Sequence, residues 1–316
     1  MSKLLPVILG PTAVGKTSLG IRLAENLNGE IVSADSRQVY IGMEIGNGAP
    51  TAVEMGNIPH HFISCIMPHQ RLSSGKYASL ARECIDEIYS RDKMPIVVGG
   101  SGLYIRALIE GLSPIPQPDL ALRAQILAEV ELRGMADMIK ELKNVDPEYA
   151  ESIELNNKKR LIRALEVYRQ TGRTFSDWHS EEVSPPPFEP VLIGLNMPRN
   201  LLHDVIHRRV IGMIESGWRQ EVEKLAEQYG GYERLPVTVM EGIGYREMTR
   251  LNNEEIELNT AVELIAIRTR QFAKRQMTWF GRDKRIHWIT INDNFGIESA
   301  VEDSMRVLSN ELLTMT

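Results

Sequence analysis

The chain has 316 residues, 43% hydrophobic and 25% charged, which suggests about two domains or one domain interrupted by an insertion. No apolar run is long enough to span a membrane, the short Leu4–Leu9 run stops at Gly10 and does not read as a signal peptide, and two cysteines, Cys65 and Cys84, cannot build a disulfide framework, so a reduced, cytoplasmic setting is expected. With 36 basic against 42 acidic residues the formal net charge is −6, which taken alone argues against a partner that is a polyanion.

The N-terminal third alternates strand and helix. Leu5–Leu9 predicts a short apolar strand, and Gly15–Leu27 carries Leu19, Leu23 and Leu27 at helical spacing. Glu30–Ala34 predicts a second strand ending at Asp35, and residues 42–60, rich in Gly, Pro and Asn, predict a loop. Lys76–Arg91 is amphipathic, and Met94–Val98 predicts a third strand closed by Gly99-Gly100. This order implies crossover units and a parallel sheet.

The pattern changes at Ser113-Pro114-Ile115-Pro116-Gln117-Pro118, which cannot continue a helix and reads as a linker. From Asp119, an expected N-cap, to about Gly172 the chain reads as helix with breaks at Gly134 and Asp146-Pro147. A second Pro-rich linker is expected at 184–190. Val191–Leu195 then predicts a strand, Leu201–Gln228, Glu241–Leu251 and Glu254–Phe280 predict helices, and Ile286–Ile291 a last strand. The fold expected is α/β: a P-loop NTPase-like parallel sheet core, 1–115 and 190–316, with an inserted all-helical domain at 116–189.

The strongest motif is Gly10-Pro11-Thr12-Ala13-Val14-Gly15-Lys16-Thr17, G-x-x-x-x-G-K-[ST] between an apolar strand and a helix. Its glycines let backbone N–H groups turn toward phosphate oxygens at the positive end of a helix. Gly10, Thr12, Ala13, Gly15, Lys16 and Thr17 are therefore candidate residues for binding a polyphosphate, a diphosphate ester being one such ligand, with Lys16 a point charge and Thr17 a hydroxyl ligand for Mg²⁺. The same cradle serves a nucleoside triphosphate. No N-K-x-D guanine reader is present, since Asn157-Lys158-Lys159-Arg160 fails at its last position. The strand Met94–Val98 ends in glycines instead of a metal-holding acid. The acid at a strand end is Asp35, which a parallel sheet places beside the phosphate loop as a metal ligand, a general base or a capping residue. Ser36-Arg37-Gln38-Val39-Tyr40 reads as site lining or as a solvated loop. Gly99-Gly100-Ser101-Gly102 at the same edge permits close backbone approach and offers the Ser101 hydroxyl, or is an ordinary turn. His60-His61 lacks the acid or thiol cluster a metal needs.

Two basic clusters interrupt the acidic composition. Residues 156–173 hold Lys158, Lys159, Arg160, Arg163, Arg169 and Arg173 against Glu166. Residues 268–285 hold Arg268, Arg270, Lys274, Arg275, Arg282, Lys284 and Arg285 against Asp283, interleaved with Phe272, Gln276, Trp279 and Phe280. Aromatic and basic residues so mixed suit looped or single-stranded RNA, and equally make a solvated helix face.

Together these stretches resemble the tRNA dimethylallyltransferases, also called tRNA isopentenyltransferases. The matches are GPTAVGKT at 10–17, SADSRQVY at 33–40, PHHFI at 59–63, VGGSGLY at 98–104, EGLSP at 110–114, RLIRALEVY at 160–168, GIGYRE at 242–247 and AKRQMTWF at 273–280, in family order over nearly the whole chain. Two stretches depart: Gly46-Asn47-Gly48-Ala49-Pro50 stands for a G-T-A-K-P-like stretch, without its Lys, and Ser101 stands for a threonine. The resemblance implies transfer of the dimethylallyl group of dimethylallyl diphosphate to N6 of adenosine 37, beside the tRNA anticodon, with Mg²⁺, release of diphosphate, and an insertion that clamps the anticodon stem-loop. It implies Asp35 as general base, Ser101 orienting the amine and Arg209 contacting the diphosphate. Ser36, Gln38, Lys158, Lys159, Arg160, Arg163, Arg246, Lys274, Arg275 and Gln276 are the expected tRNA contacts, and the protein is expected to act as a monomer. A P-loop kinase transferring phosphate from ATP to a small acceptor is the alternative from another class, and a non-catalytic RNA-binding module a third.

Overall fold

A computed structural model describes residues 3–154, 157–181, 186–292 and 296–315. Six parallel strands form one sheet: β1 (Lys3–Leu9), β2 (Gly29–Ser33), β3 (His60–His61), β4 (Met94–Gly99), β5 (Phe188–Asn196) and β6 (His287–Thr290), in the order β3-β2-β4-β1-β5-β6. After the exposed Lys3, β1 is apolar because it is covered on both faces, as interior parallel strands are. Leu5, Val7 and Leu9 join the core on one face with Tyr77, Ile85 and Leu108; Ile8 joins Leu19, Leu23 and Ile96 on the other. Each such fully buried aliphatic side chain contributes about 1.5–3 kcal/mol.

The helices of the sheet's first half are α1 (Lys16–Leu27), the single turn α2 (Ala52–Met55), α3 (Ser74–Ser90) and α4 (Gly102–Ile109). The expected loop at 42–60 thus contains α2, whose Thr51 and Glu54 form a reciprocal capping box, and ends in β3. There His61 Nε2 bonds the buried Glu30 at 2.8 Å, a packing role. Among the described residues no group of three or more His, Cys, Asp or Glu is placed to hold a metal, and no helix is long and apolar enough to cross a membrane.

The chain divides into two compact units, Met1–Ile109 with Pro186–Thr316, and Glu110–Pro185. The second is all helical: α5 (Leu120–Val145), α6 (Pro147–Ser152), α7 (Lys158–Thr171) and α8 (Phe175–His179). Asp119 caps α5 by accepting from the N–H groups of Ala121 and Leu122, and Gly134 kinks it. Asp146 caps α6. Ile126, Val130, Met138, Leu142, Leu161 and Leu165 form this unit's own core. The segment 113–118 carries no helix or strand. Of the second expected linker, 184–185 lie outside the described residues, and Phe188, Glu189 and Pro190 are strand. They pair with Lys3, Leu4 and Leu5 and belong to the sheet, not to the insertion.

Returning to the first unit, the chain forms α9 (Arg199–Glu215), α10 (Trp218–Tyr229), α11 (Val237–Met240), α12 (Tyr245–Asn252), α13 (Leu258–Phe280) and α14 (Gly296–Met315). The expected helix 201–228 is two helices, because Gly217 at φ +100° leaves the helical region and starts α10 afresh. Gly244 does the same between α11 and α12. α9 to α13 enclose a separate apolar cluster around Trp218, Val222, Tyr245, Met248 and Ile265.

Candidate functional site

The phosphate loop connects the C-terminal end of β1 to α1, between β4 and β5. This is a switch point of the sheet, since the chain leaves β1 for β2 on one side and β5 lies on the other, and ligands collect at such crevices. Gly15 at φ +100° and Ala13 at φ +67° bend the loop so that it feeds α1 with its free N–H groups at the positive helix end. Lys16 folds back, Nζ donating to the Pro11 carbonyl at 2.7 Å. Burial pushes its ammonium down to about 8; the Asp35 charge opposes that shift and the Arg209 charge adds to it. Thr12 is held twice: its N–H donates to Gln276 Oε1 at 2.8 Å and its hydroxyl accepts from Arg209 Nη1 at 3.2 Å. The Thr17 hydroxyl makes no hydrogen bond among the described residues.

The opposite wall comes from the ends of β2 and β4. Ala34 N–H donates to the Val98 carbonyl at 2.8 Å and Ser101 N–H to the Ala34 carbonyl at 3.2 Å, so the ladder continues past both strands. Asp35 Oδ1 accepts the Arg37 N–H at 2.8 Å, a turn that fixes the carboxylate and leaves Oδ2 without a protein partner among the described residues. Ser101 Oγ accepts the Ser36 N–H at 2.9 Å and donates to Ser36 Oγ at 3.1 Å. A hydroxyl has one donor and two acceptor positions, so Ser101 retains one lone pair.

Arg209 reaches the site from α9. Its Nη2 lies 3.4 Å from the Gly48 carbonyl, over a residue where any Cβ would sit 1.8 Å from that nitrogen. Burial lowers its pKa, with Asp35 and Glu54 opposing; a guanidinium keeps its charge in such a place. Two cations and one carboxylate therefore share one electrostatic environment at the end of the sheet. A cavity of about 680 Å³ between β6 and α14, lined by His287, Trp288, Asp303 and Arg306 among others, contains none of these residues.

The expected tRNA contacts separate into two groups. Lys274 and Arg275 are exposed on α13, and Arg246 is exposed on α12 with Nε donating to the Met240 carbonyl at 2.8 Å. Lys159 and Arg160 are exposed on α7. Gln276, by contrast, is 6% exposed, and its amide bonds Thr12 and the Gly100 carbonyl, so it is not on that surface. Gln38 has both ends of its amide engaged, Nε2 donating to the Gly48 carbonyl at 2.9 Å and Oε1 accepting from Ser33 at 3.3 Å. The Ser36 N–H and hydroxyl are bonded to Ser101. Arg163 pairs with the fully buried Glu166 at 3.1 Å and donates to the Pro116 carbonyl, which takes it off the basic surface. The insertion's cluster is also less basic in space than in sequence. Lys158 meets Glu131 at 2.9 Å, Arg169 meets Glu129 at 2.7 Å and Glu141 at 2.6 Å, and Arg173 meets Glu181 at 2.7 Å.

No motif pointed to Glu221. Its carboxylate accepts the N–H groups of Ile45 and Gly46 at 2.6 and 3.0 Å and the Tyr245 hydroxyl at 2.8 Å, and burial pushes its pKa up. It thereby anchors the loop whose Gly48 carbonyl meets Arg209 and Gln38. Its signal lies in the helical pattern: Trp218, Glu221, Val222 and Leu225 put a carboxylate on an apolar stripe. Gln276 stands in the same way between Ala273 and Phe280.

Residues 38–283 match the family model described as IPP transferase. The tRNA dimethylallyltransferase of Desulforudis audaxviator is 40% identical over 97% of this chain and 98% of its own length. That of Acetivibrio thermocellus is 42% identical over 95% of each. Among solved structures, the tRNA isopentenylpyrophosphate transferase of Bacillus halodurans is 35% identical and superposes with a TM-score of 0.71 over 100% of this chain and 99% of that one. A eukaryotic dimethylallyltransferase acting on tRNA is 28% identical with a TM-score of 0.85 over 99% of this chain and 80% of that one.

Proposed function

This chain belongs to the tRNA dimethylallyltransferase family and is a prenyltransferase acting on tRNA, and we propose that Lys16, Thr12, Arg209 and Asp35 carry its chemistry at N6 of adenosine 37 in the anticodon loop. The observation behind this assignment is that Gln276 joins Thr12 of the phosphate loop, at 2.8 Å, to the Gly100 carbonyl, at 2.9 Å, while the Ser101 N–H meets the Ala34 carbonyl next to Asp35 at 3.2 Å, so that the anion cradle and the proton acceptor lie at one end of the sheet.

The dimethylallyl diphosphate enters with its phosphates on the loop. Lys16, Arg209 and the loop N–H groups stabilise the negative charge that grows on diphosphate as its bond to the allylic carbon breaks. The allylic carbon carries positive charge well, so departure of the diphosphate needs little nucleophilic help. The adenine amine is a weak nucleophile with two N–H groups. Asp35 Oδ2 takes the proton of one as the N–C bond forms, and the remaining lone pair of Ser101 accepts from the other. The diphosphate leaves with the bonding electron pair. The base must leave the anticodon-loop stack to reach Asp35, so the target nucleotide is flipped out.

A Mg²⁺ ion fits the residues present. The unpartnered Thr17 hydroxyl is a hard oxygen donor beside the cradle, and an ion that prefers one or two protein oxygens plus phosphate oxygens needs no larger acidic cluster. Thr17 would hold it, and it would supply charge neutralisation of the diphosphate.

Lys274, Arg275 and Arg246, with Lys159 and Arg160 of the insertion, are proposed to contact the phosphates of the anticodon stem-loop. The test is transfer of label from dimethylallyl diphosphate to unmodified tRNA, with ATP as control donor, followed by digestion to nucleosides. Label on adenosine 37 is expected. Label on another nucleotide, or phosphoryl transfer from ATP in place of prenyl transfer, would overturn the assignment.

A further inference from the structure

We propose that Gln276 is a positioning residue that holds the phosphate loop in its ligand-binding shape; the proposal rests on the reading of that loop as the diphosphate site. The loop is strained where Ala13, which has a Cβ, adopts φ +67°. Such a conformation persists only where its surroundings over-determine it. The residue before it, Thr12, is fixed at its N–H by Gln276 and at its hydroxyl by Arg209. Arg209 also faces the ligand, which leaves Gln276 as the brace independent of it.

The other end of the same amide is fixed too. Gln276 Nε2 donates to the Gly100 carbonyl at 2.9 Å, and a Cβ on Gly100 would lie 2.3 Å from that nitrogen. The amide is thus wedged between the loops after β1 and β4, of which the second carries Ser101. One side chain of α13 joins the diphosphate cradle to the wall that receives the amine. At 6% exposure it cannot turn outward without leaving the Thr12 N–H and the Gly100 carbonyl unpartnered in a buried place, which native structures avoid. Its neighbours Lys274 and Arg275 are exposed. The same helix therefore presents two functions, an outward basic face and an inward brace.

The test compares inorganic pyrophosphate binding by calorimetry, tRNA binding in its absence, and thermal melting, for Gln276→Met, which keeps the volume and removes both bonds, and Gln276→Asn, which is polar but one methylene too short to span both loops. Either variant that folds is expected to bind pyrophosphate about tenfold more weakly, the loss of one to two hydrogen bonds' worth of preorganisation, while its tRNA affinity stays within about twofold of wild type. Lys274→Glu with Arg275→Glu is expected to show the reverse pattern. Unchanged pyrophosphate affinity in the folded Gln276 variants, or a fall in tRNA affinity instead, overturns the proposal. Lys16→Ala separates the two layers of argument. If it too leaves pyrophosphate binding unchanged, the loop is not the diphosphate site; if it weakens binding and the Gln276 variants do not, only the bracing role fails.

Discussion

Lys16 gives the site a pH dependence that can be worked out. Burial holds its ammonium at about 8 in the free protein, from an ordinary 10.5. A diphosphate binds the charged form, so below pH 8 the charge is already in place and affinity is flat. Above pH 8 binding must draw a proton, and at pH 9 about nine-tenths of the free protein carries a neutral amine, so affinity falls about tenfold between pH 7 and 9. The ligand contributes little to this, since the last proton of a phosphate ester leaves near about pH 6. Calorimetric titration of dimethylallyl diphosphate in two buffers of different ionisation heat measures the uptake directly. It should approach one proton per ligand at pH 9 in the wild type. Lys16→Arg keeps its charge throughout and should show neither the uptake nor the tenfold fall. Equal pH dependence of the two proteins would refute the argument. The same depression has a consequence for the free protein. Its folded state binds fewer protons than its unfolded state between pH 8 and 10.5, so the stability contributed by Lys16 is present above 10.5 and is lost as pH falls through 8.

Asp35→Ala should retain tRNA affinity and lose turnover by about 10²–10⁴, the range for a missing general base; near-normal single-turnover rates would remove Asp35 from the mechanism. Reversing Lys274 and Arg275 together should weaken tRNA binding and flatten its dependence on salt, and an unchanged slope would make that face of α13 a solvated surface only. Glu221→Gln should loosen residues 43–49 and raise the KM for the prenyl donor more than the Kd for tRNA, because the loop carries the Gly48 carbonyl that meets Arg209; equal effects on both ligands would assign Glu221 to stability alone.

The parts of the fold legible in the sequence are those where local pattern and tertiary position agree. β1 and α1 flank a motif whose spacing fixes both, and the run ending at Asp35 does mark a strand end, with β4 between that strand and β1. The helix breaks at Gly217 and Gly244 were harder to read. A single glycine disfavours a helix by only about 1 kcal/mol, and at Gly244 the turn at φ +93° lies against the Trp218 ring, where a Cβ would come within 2.1 Å, a long-range fact. Phe188–Pro190 read as linker because three prolines precede it and a fourth ends it, yet register with Lys3–Leu5 draws it into the sheet. α14 has no expected counterpart although Ile297, Ala300, Val301, Ser304 and Leu308 follow a helical period; polar and acidic residues between them dilute the apolar stripe. Within the site, Lys16 is read from the phosphate-loop motif, Asp35 from a strand end, and Arg209 from the family resemblance. Gln276 is expected among the tRNA contacts but is 6% exposed in the structure, because a motif places a residue on a helix without saying which face it takes.

Charge shows the same limit more sharply. Counted along the chain, the six cations of residues 156–173 oppose one acid, Glu166. In space α5 brings Glu129, Glu131 and Glu141 to them. Not all of these pairs are equal. Lys158–Glu131 is exposed on both sides, contributes about 0–1 kcal/mol, and can be exchanged for a phosphate at little cost. Arg169 is different: it is half-buried between two glutamates, and their hydrogen bonds raise its pKa still further, so it is a structural cation. On α13 the outward Lys274 and Arg275, and Arg282 and Lys284 beyond it, make no ion pair among the described residues. A polyanion responds to the charges it can reach and to their freedom to change partners, not to a sum over the chain. An acidic protein can therefore bind tRNA, and the binding should depend most on the few unpaired cations of one helix.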